Sequence, residues 1–584
     1  MNGADYIAAF LVDRGITQVY LMNGGACAFM IDAIGRNPGI DYIAMQHEQA
    51  AAMAADASWR VTGVPGVSLA TSGPGATNLI TGIACSYFDS IPSLHITGQV
   101  NMRESAVYLG ASVRQAGFQE TNIVDMVRPI TKYAVQVHNV DELKVELSRA
   151  YNIAMSGRRG PVLIDVPMNV QQDAVGEGVL YDPTLGWENW GEPDLDERAR
   201  ELNSFLLSGA RPLLLFGAGV GLSGSHVQLE QWLRRSEFPF VASWNALTYF
   251  DHRLTNYLGQ IGVYGNRGAN AALQNCDRLL VLGSRLDNRQ RSGNPATFAP
   301  EARVMVLDID GEELKKYAGS NYVTSQLDLA HLPPLLGRIT EPPLSAEWRA
   351  YLSQLKADYY NKDLSTFSKQ HGTISPYEIV AALNSIIEDD AIVIADTGAT
   401  VCWTNQSFCR TNQTFFTAGG NSPMGYALPA AIGAALLAPN RQVICVIGDG
   451  GLQVNIQELQ TIKAYDLNIT IVVMNNHGYG IIKQFQDSYM EGRHEASGRG
   501  YSVPDLGAIS QAYGLGYVKL GSPRDVGPHI FQQNKATLVE VPLHPGTLIE
   551  PKLEMGRPIN DQFPYVSDEI FSRDNKFTTL SRRR

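Results

Sequence analysis

Gly448-Asp449-Gly450-Gly451 is followed, after 23 intervening residues, by Asn475-Asn476. A carboxylate and an amide oxygen brought together suit an octahedral magnesium ion that also binds phosphate oxygens, because magnesium selects hard oxygen donors. The β-branched run Val443-Ile444-Cys445-Val446-Ile447 reads as a strand delivering Asp449 at its carboxyl end. A second run, Ile469-Thr470-Ile471-Val472-Val473, delivers the asparagines to the same edge, where α/β sheets bind ligands. The glycines let a diphosphate approach the backbone, and a helix N-terminus there favours its charge. Asn455-x-x-Glu458 predicts a capping box opening the next helix. Gly-Asp-Gly alone would be ordinary turn chemistry; the asparagine pair at this distance carries the specificity. A Gly-Lys-Ser/Thr phosphate loop is absent, which disfavours a nucleotide triphosphatase.

The second constellation is His47-Glu48-Gln49. A zinc-protease reading fails, since Ala51 stands where the second histidine is required. Glu48 follows the strand-like Tyr42-Ile43-Ala44-Met45 and precedes Ala50-Ala51-Ala52-Met53-Ala54-Ala55, a small-residue helix suited to close packing. Thr71-Ser72-Gly73-Pro74-Gly75-Ala76-Thr77-Asn78 reads as a turn between strand and helix. Gly217-Ala218-Gly219-Val220-Gly221 follows a strand but has Leu222 where the dinucleotide fingerprint requires glycine, so that motif is weak alone.

Short apolar, β-branched runs alternate along the chain with stretches of helical period, the pattern of parallel sheets covered by helices. The reading is α/β, with three doubly wound parallel-sheet domains at 1–175, 190–340 and 373–545, then a Pro- and charge-rich tail over 546–584. An acidic Gly/Pro stretch from about Gly176 to Asp194 and Glu341-Pro342-Pro343 are the linkers. At 584 residues one core cannot serve the chain. A net charge of −12 argues against nucleic-acid or anionic-membrane partners, and the terminal Ser-Arg-Arg-Arg reads as a solvated tail. Six scattered cysteines without a Cys-x-x-Cys pair predict reduced buried thiols. No signal-peptide pattern and no long apolar run are evident, so a cytoplasmic protein is expected.

The spacing from Gly448 to Asn476 is similar to the thiamine-diphosphate motif, and nearly the whole chain resembles the acetolactate synthase branch of those enzymes. The resemblance implies thiamine diphosphate held through magnesium by Asp449, Asn476 and the carbonyl of Gly478, with Gly450, Gly451, Tyr479 and Gly480 around it. Thr397, Gly398 and Ser422 match other cofactor-binding positions, and Met424 matches the apolar wedge that keeps the cofactor folded. Glu48 is implied as the acid that bonds the cofactor's pyrimidine nitrogen, while Ser90 and Gln119, in Asp89-Ser90-Ile91-Pro92 and Gly117-Phe118-Gln119-Glu120, are implied to touch cofactor or donor. Arg158, Ala218, Gly219, Gly262, Val263, Arg285, Asp287, Asp308 and Ile309 fall where acetolactate synthases bind FAD. A homodimer or homotetramer is implied, with Glu48 of one chain serving the cofactor on Asp449 of another.

Departures from the pattern bear on the substrate. Phe485, in Lys483-Gln484-Phe485-Gln486, replaces a tryptophan, and Pro167-Met168-Asn169 replaces Pro-Lys-Asp. Arg289, the match to the acceptor-carboxylate clamp, is kept, although its neighbour is Asn288. Gln326 stands where an FAD-contacting aspartate is expected. The tail resembles those of homologues that make branched or unusual sugars. The expected enzyme is therefore a carbon–carbon bond-forming carboligase that decarboxylates pyruvate and transfers the acetyl unit to a carbonyl acceptor. A nucleotide-activated 4-keto-deoxy sugar is the leading acceptor, with biosynthetic acetolactate synthase as the alternative. Pyruvate oxidase and a non-catalytic homologue come behind, the latter opposed by joint retention of Glu48, Asp449 and Asn476.

Overall fold

The computed structural model describes residues 1–584 except 177, 179, 189, 318, 320, 343, 360–373, 532–534 and 581–584. The terminal basic run and the start of the third expected domain thus lie outside the described residues. Within them, three six-stranded parallel sheets organise the chain. The first contains β1 (Gln18–Leu21), β2 (Asp41–Ala44), β3 (Gly66–Ala70), β4 (Ser93–Gln99), β5 (Tyr133–Gln136) and β6 (Val162–Pro167), in the order β2-β1-β3-β4-β6-β5. The middle sheet contains β7 (Pro212–Phe216), β8 (Phe240–Ala242), β9 (Tyr257–Gln260), β10 (Arg278–Leu282), β11 (Arg303–Asp308) and β12 (Tyr322–Gln326), in the order β12-β11-β10-β7-β8-β9. The third contains β13 (Ile392–Ala395), β14 (Thr414–Phe416), β15 (Val443–Gly448), β16 (Ile469–Asn475), β17 (Gly516–Lys519) and β18 (Thr537–Pro542), in the order β14-β13-β15-β16-β18-β17.

Central strands such as β15 and β16 are apolar and buried along nearly their whole length, as strands covered on both faces must be. Six strands had no clear apolar signal in the sequence: β5, β8, β9, β12, β14 and β17. Five of these are sheet edges. An edge strand is covered on fewer sides, so its side chains are mixed; β12 reads Tyr-Val-Thr-Ser-Gln and is mostly part-exposed.

The first and third domains meet through the helices Glu48–Thr62 and Ala427–Leu437. Their small residues bring backbones together: a Cβ at Gly433 would lie 2.7 Å from the carbonyl oxygen of Ala54. Beside them Arg60 pairs with buried Asp56 (2.7 Å) and Asp89 (2.8 Å). Asp89 also accepts from the Gly419 and Gly420 amides of the third domain and from Asn245 Nδ2 of the middle domain. One buried, fully bonded carboxylate thereby ties three domains together.

The tail folds onto the middle domain. β19 (Lys552–Leu553) pairs antiparallel with β20 (Gln562–Phe563), and Leu553 and Ile559 join the middle-domain core. Buried Asn270 and Asn275 donate to the carbonyls of Ile559 and Asp574, fixing the tail at two points. All six cysteines are free, and all but Cys409 are buried. Among the described residues no helix is long and apolar enough to cross a membrane.

Candidate active site

In the third sheet the chain reverses direction between β13 and β15, so their carboxyl ends open a crevice. The loops after them line a cavity of about 460 Å³: Thr397 and Gly398 follow β13, while Asp449, Gly450 and Gly451 follow β15. β16 adds Asn476, Gly478, Tyr479 and Gly480, and Ser422 and Met424 complete this wall. The predicted magnesium and diphosphate residues are thus assembled at one switch point.

Asp449 is buried, and its carboxylate accepts from the Gly478 amide at 3.2 Å. Burial pushes its pKa up to about 6, against the pull of hydrogen bonds from Tyr501 and the backbone. The Asn476 amide nitrogen is buried without a hydrogen-bond partner. A desolvated carboxylate suits a bound cation and an unsatisfied amide N–H suits the oxygens of its phosphate, so the residues fit the group the sequence implied. The glycines are needed for the protein's own packing too. A Cβ at Gly450 would lie 2.6 Å from the Tyr479 ring and 3.1 Å from Met424 Cε; one at Gly480 would lie 2.5 Å from the Asn476 amide.

The expected capping box at Asn455 and Glu458 does not form. The helix Glu458–Ala464 has Gln457 at its N-cap without a side-chain bond. Asn455 donates to the Gly425 carbonyl at 2.9 Å, holding the loop that carries Met424. Glu458, buried, accepts from the Gln46 amide across the domain boundary at 3.1 and 3.3 Å. An orphan donor at the start of the Glu48 helix competes successfully for this carboxylate.

Glu48 begins the helix Glu48–Thr62 at the carboxyl edge of the first sheet, with His47 as N-cap. It accepts from Asn78 Nδ2 at 3.0 Å, a partner the sequence reading did not single out. The turn Thr71-Asn78 packs around it: a Cβ at Gly75 would lie 3.2 Å from Glu48 Oε1, and one at Gly73 would lie 2.9 Å from Gln119 Cβ. Glu48, Asn78 and Gln119 therefore share one edge. None of them lines the Asp449 cavity, whose described walls come only from the middle domain, the third domain and the tail.

The middle sheet, read in its own order, is 3-2-1-4-5-6, the arrangement of dinucleotide-binding folds. Its switch point lies between β7 and β10. Around it a second cavity is lined by Arg158, Ala218, Gly219, Arg285, Asp287, Asp308 and Ile309. Cβ atoms at Gly217 and Gly219 would lie 2.2 Å from the Gly283 carbonyl oxygen and 2.8 Å from its Cα, so those glycines let the two loops meet. Arg158 pairs with Asp310 (2.7 Å) and Glu313 (3.1 Å), and its Nε donates to Ser90 Oγ at 3.1 Å. Ser90 belongs to this cavity, not to the Asp449 one.

Gly262 and Val263 are not among the residues that line this second cavity. Their backbone is otherwise engaged. A Cβ at Gly262 would lie 2.6 Å from the Arg289 carbonyl, and the Val263 amide donates to that same oxygen at 2.8 Å. The Val263 carbonyl in turn accepts from Leu553 of the tail at 2.8 Å. Gln326 is not among the lining residues either, and donates to the carbonyl of Ile309, which is, at 3.0 Å.

Arg289 and Phe485, expected at the substrate, both line the Asp449 cavity, with Arg289 over the Tyr264 ring at 5.4 Å. The sequence reading missed Trp244, which lines both cavities, and Lys552. For the latter the sequence shows only a lysine between Pro551 and Leu553 with Glu550 and Glu554 close by, which reads as ordinary surface charge.

Sheets of like order flanking a dinucleotide-type sheet, with this carboxylate–asparagine edge, define an enzyme of the thiamine pyrophosphate class. The chain belongs to that family: residues 1–126 match its N-terminal TPP binding domain, 199–328 its central domain and 396–541 its C-terminal TPP binding domain. It is 33% identical over 563 residues to the acetolactate synthase large subunit of Lactococcus lactis subsp. lactis (strain IL1403), covering 95% of each chain. It is 34% identical to the acetolactate synthase isozyme 2 large subunit of Escherichia coli (strain K12), over 88% of this chain and 90% of that one. With the isozyme 1 large subunit of the same organism it shares 35% identity over 84% of each.

Proposed function

We propose that the protein decarboxylates pyruvate and joins the resulting acetyl unit to a second 2-oxo acid, as an acetolactate synthase-like carboligase. The observation that carries this reading is a single cavity joining the Asp449–Asn476 edge to the guanidinium of Arg289. Similarity to acetolactate synthase large subunits along nearly the full chain supports it. Thiamine diphosphate, when bound, supplies the carbanion chemistry. The chain's own residues hold and orient. Asp449, Asn476 and the Gly478 carbonyl would hold magnesium and the diphosphate, Met424 would pack against the cofactor, and Glu48 would hold a proton at the pyrimidine nitrogen.

Glu48 lies on a different edge from the Asp449 cavity, so the reading requires Glu48 of the partner subunit and at least a homodimer. Exposed Val107, Tyr108, Leu109, Val113 and Phe118, beside Gln119, offer an apolar surface for that second copy. FAD is proposed for the middle domain. Its strand order supports this, as do Arg158 and Arg285 as phosphate partners and Asp308 as acceptor for a ribose hydroxyl.

A second acceptor, a nucleotide-activated 4-keto-deoxy sugar, is favoured by one observation: Phe485 in the wall is smaller than tryptophan and about a third exposed. Competition separates the two. With ¹³C-pyruvate, 2-oxobutyrate and a CDP-4-keto-dideoxy sugar at equal concentration, acetohydroxybutyrate and acetolactate should dominate. A predominance of branched sugar would reverse the assignment, and acetate with hydrogen peroxide under air would make the protein an oxidase.

A further inference from the structure

Lys552 is 4% exposed, and its Nζ is buried without a hydrogen-bond partner. It lines the same cavity as Arg289 and Asp449. An unpaired ammonium taken out of water is costly, so a chain that keeps one there either loses the proton or meets an anion. Burial draws the Lys552 pKa down, with Glu554 working against the shift and Arg289 adding to it.

The placement is built by many contacts. Trp403 Nε1 donates to the Leu548 carbonyl at 2.9 Å. Gln484 bonds both ways with Ile549, donating to its carbonyl at 3.0 Å and accepting from its amide at 2.9 Å. The Tyr377 hydroxyl accepts from the Glu550 amide at 2.7 Å, and Gln406 donates to the Pro551 carbonyl at 2.8 Å. Leu553 then donates to Val263, the residue whose own amide donates to the Arg289 carbonyl. One residue, Val263, thus joins the strand that carries Lys552 to the loop that carries Arg289. The Cys402 thiol lies within the field of both cations.

We propose that Lys552 is a specificity-determining residue: with Arg289 it forms a two-cation clamp for the anionic group of the acceptor. The proposal rests on the carboligase reading above and names what that reading left open. A carboxylate or a phosphate would satisfy the same pair, since both present paired oxygens. A neutral carbonyl acceptor would leave both charges unanswered.

The test uses full-length, cofactor-loaded protein with Lys552→Met and Lys552→Arg. Calorimetry with 2-hydroxybutyrate, which has no carbonyl to react, should show binding weakened roughly tenfold or more in Lys552→Met and largely kept in Lys552→Arg. Inorganic phosphate in a parallel titration separates the sources: retention of phosphate but not carboxylate selectivity points to a phosphorylated acceptor. In turnover, kcat/KM for 2-oxobutyrate should fall by a similar factor in Lys552→Met, while acetaldehyde as acceptor and ¹³CO₂ release from pyruvate stay within about twofold. Equal binding by wild type and Lys552→Met, or an equal loss with charged and neutral acceptors, would overturn the clamp. Failure of the wild type to release CO₂ from pyruvate would overturn the carboligase reading instead, with the calorimetry still deciding for or against the anion site.

Discussion

The first and third domains have the same strand order, 2-1-3-4-6-5, yet place different chemistry on the equivalent edge. The third sheet presents Asp449 and Asn476 to a cavity of about 460 Å³. The first presents Glu48, held by Asn78, over a turn crowded by Gly73 and Gly75. The loops after β13 and β15 leave space for a ligand, whereas those after β1 and β3 close on themselves: a Cβ at Gly24 would lie 2.5 Å from Thr71. A shared topology fixes where a site falls, and the loops decide which half of a site it becomes. Packing of the helices Glu48–Thr62 and Ala427–Leu437 holds the two edges of one chain in fixed relation. That relation leaves Glu48 out of the described lining of the Asp449 cavity.

The largest effects should come from removing either half. Asp449→Ala is expected to weaken magnesium-dependent thiamine diphosphate binding by about a hundredfold or more, since one carboxylate supplies most of the protein's charge at the ion. Glu48→Gln should bind cofactor normally and lose roughly 10²–10⁴ in turnover, because an amide cannot hold and pass the proton. Calorimetry and steady-state rates check both. Equal loss of binding in the two variants would erase the distinction between the edges.

The middle sheet sharpens the contrast, since its different order makes a different cavity. Gly219→Ala sets a Cβ 2.8 Å from Gly283 Cα and should spread the switch point, costing about 1–3 kcal/mol in stability. Bound flavin, read from the visible absorbance of purified protein, should fall severalfold while thiamine diphosphate binding stays unchanged. Normal flavin content in the variant would place the dinucleotide elsewhere, and no flavin in the wild type would remove it from the account.

The smallest effect concerns the bond between the two like domains. Burial raises the Glu458 pKa to about 7, against an ordinary 4.5. The folded state therefore holds this proton more tightly than the unfolded one. The resulting stability is complete below about pH 4.5 and is lost as the pH rises through 7, to an upper bound of ~3 kcal/mol. Thermal melts of wild type and Glu458→Gln should differ most in favour of wild type near pH 5, with the advantage shrinking or reversing by pH 8. A difference independent of pH would show that Glu458 acts only through its bond to Gln46.

Much of this arrangement was legible in the sequence. β15 and β16 begin where their apolar runs do, at Val443 and Ile469, because parallel strands covered on both faces are largely apolar. Edge strands β5, β12 and β17 were silent because partial burial permits mixed residues, while β9 and β14 are largely buried but too short, at four and three residues, to show a period. Asp449 and Asn476, which line one cavity, were legible because a carboxylate and an amide at a fixed spacing form a local pattern. The placement of Lys552 and the contact of Asn78 with Glu48 were not legible, for the opposite reason. Each acts through a long-range placement, by the tail folding back on Val263 or by a turn meeting a helix, and no local spacing encodes that. The Asn455–Glu458 box failed because a tertiary donor outbid a local one.

The central claim, that the two edges meet only between chains, is tested most directly by mixing the two inactive proteins. Glu48→Gln and Asp449→Ala chains, dissociated and reassociated with thiamine diphosphate and magnesium, should regain about a quarter of wild-type pyruvate turnover. Random pairing makes half the dimers mixed, and each mixed dimer has one intact site of two. Demonstrated exchange between differently labelled chains with no return of activity would contradict the divided site.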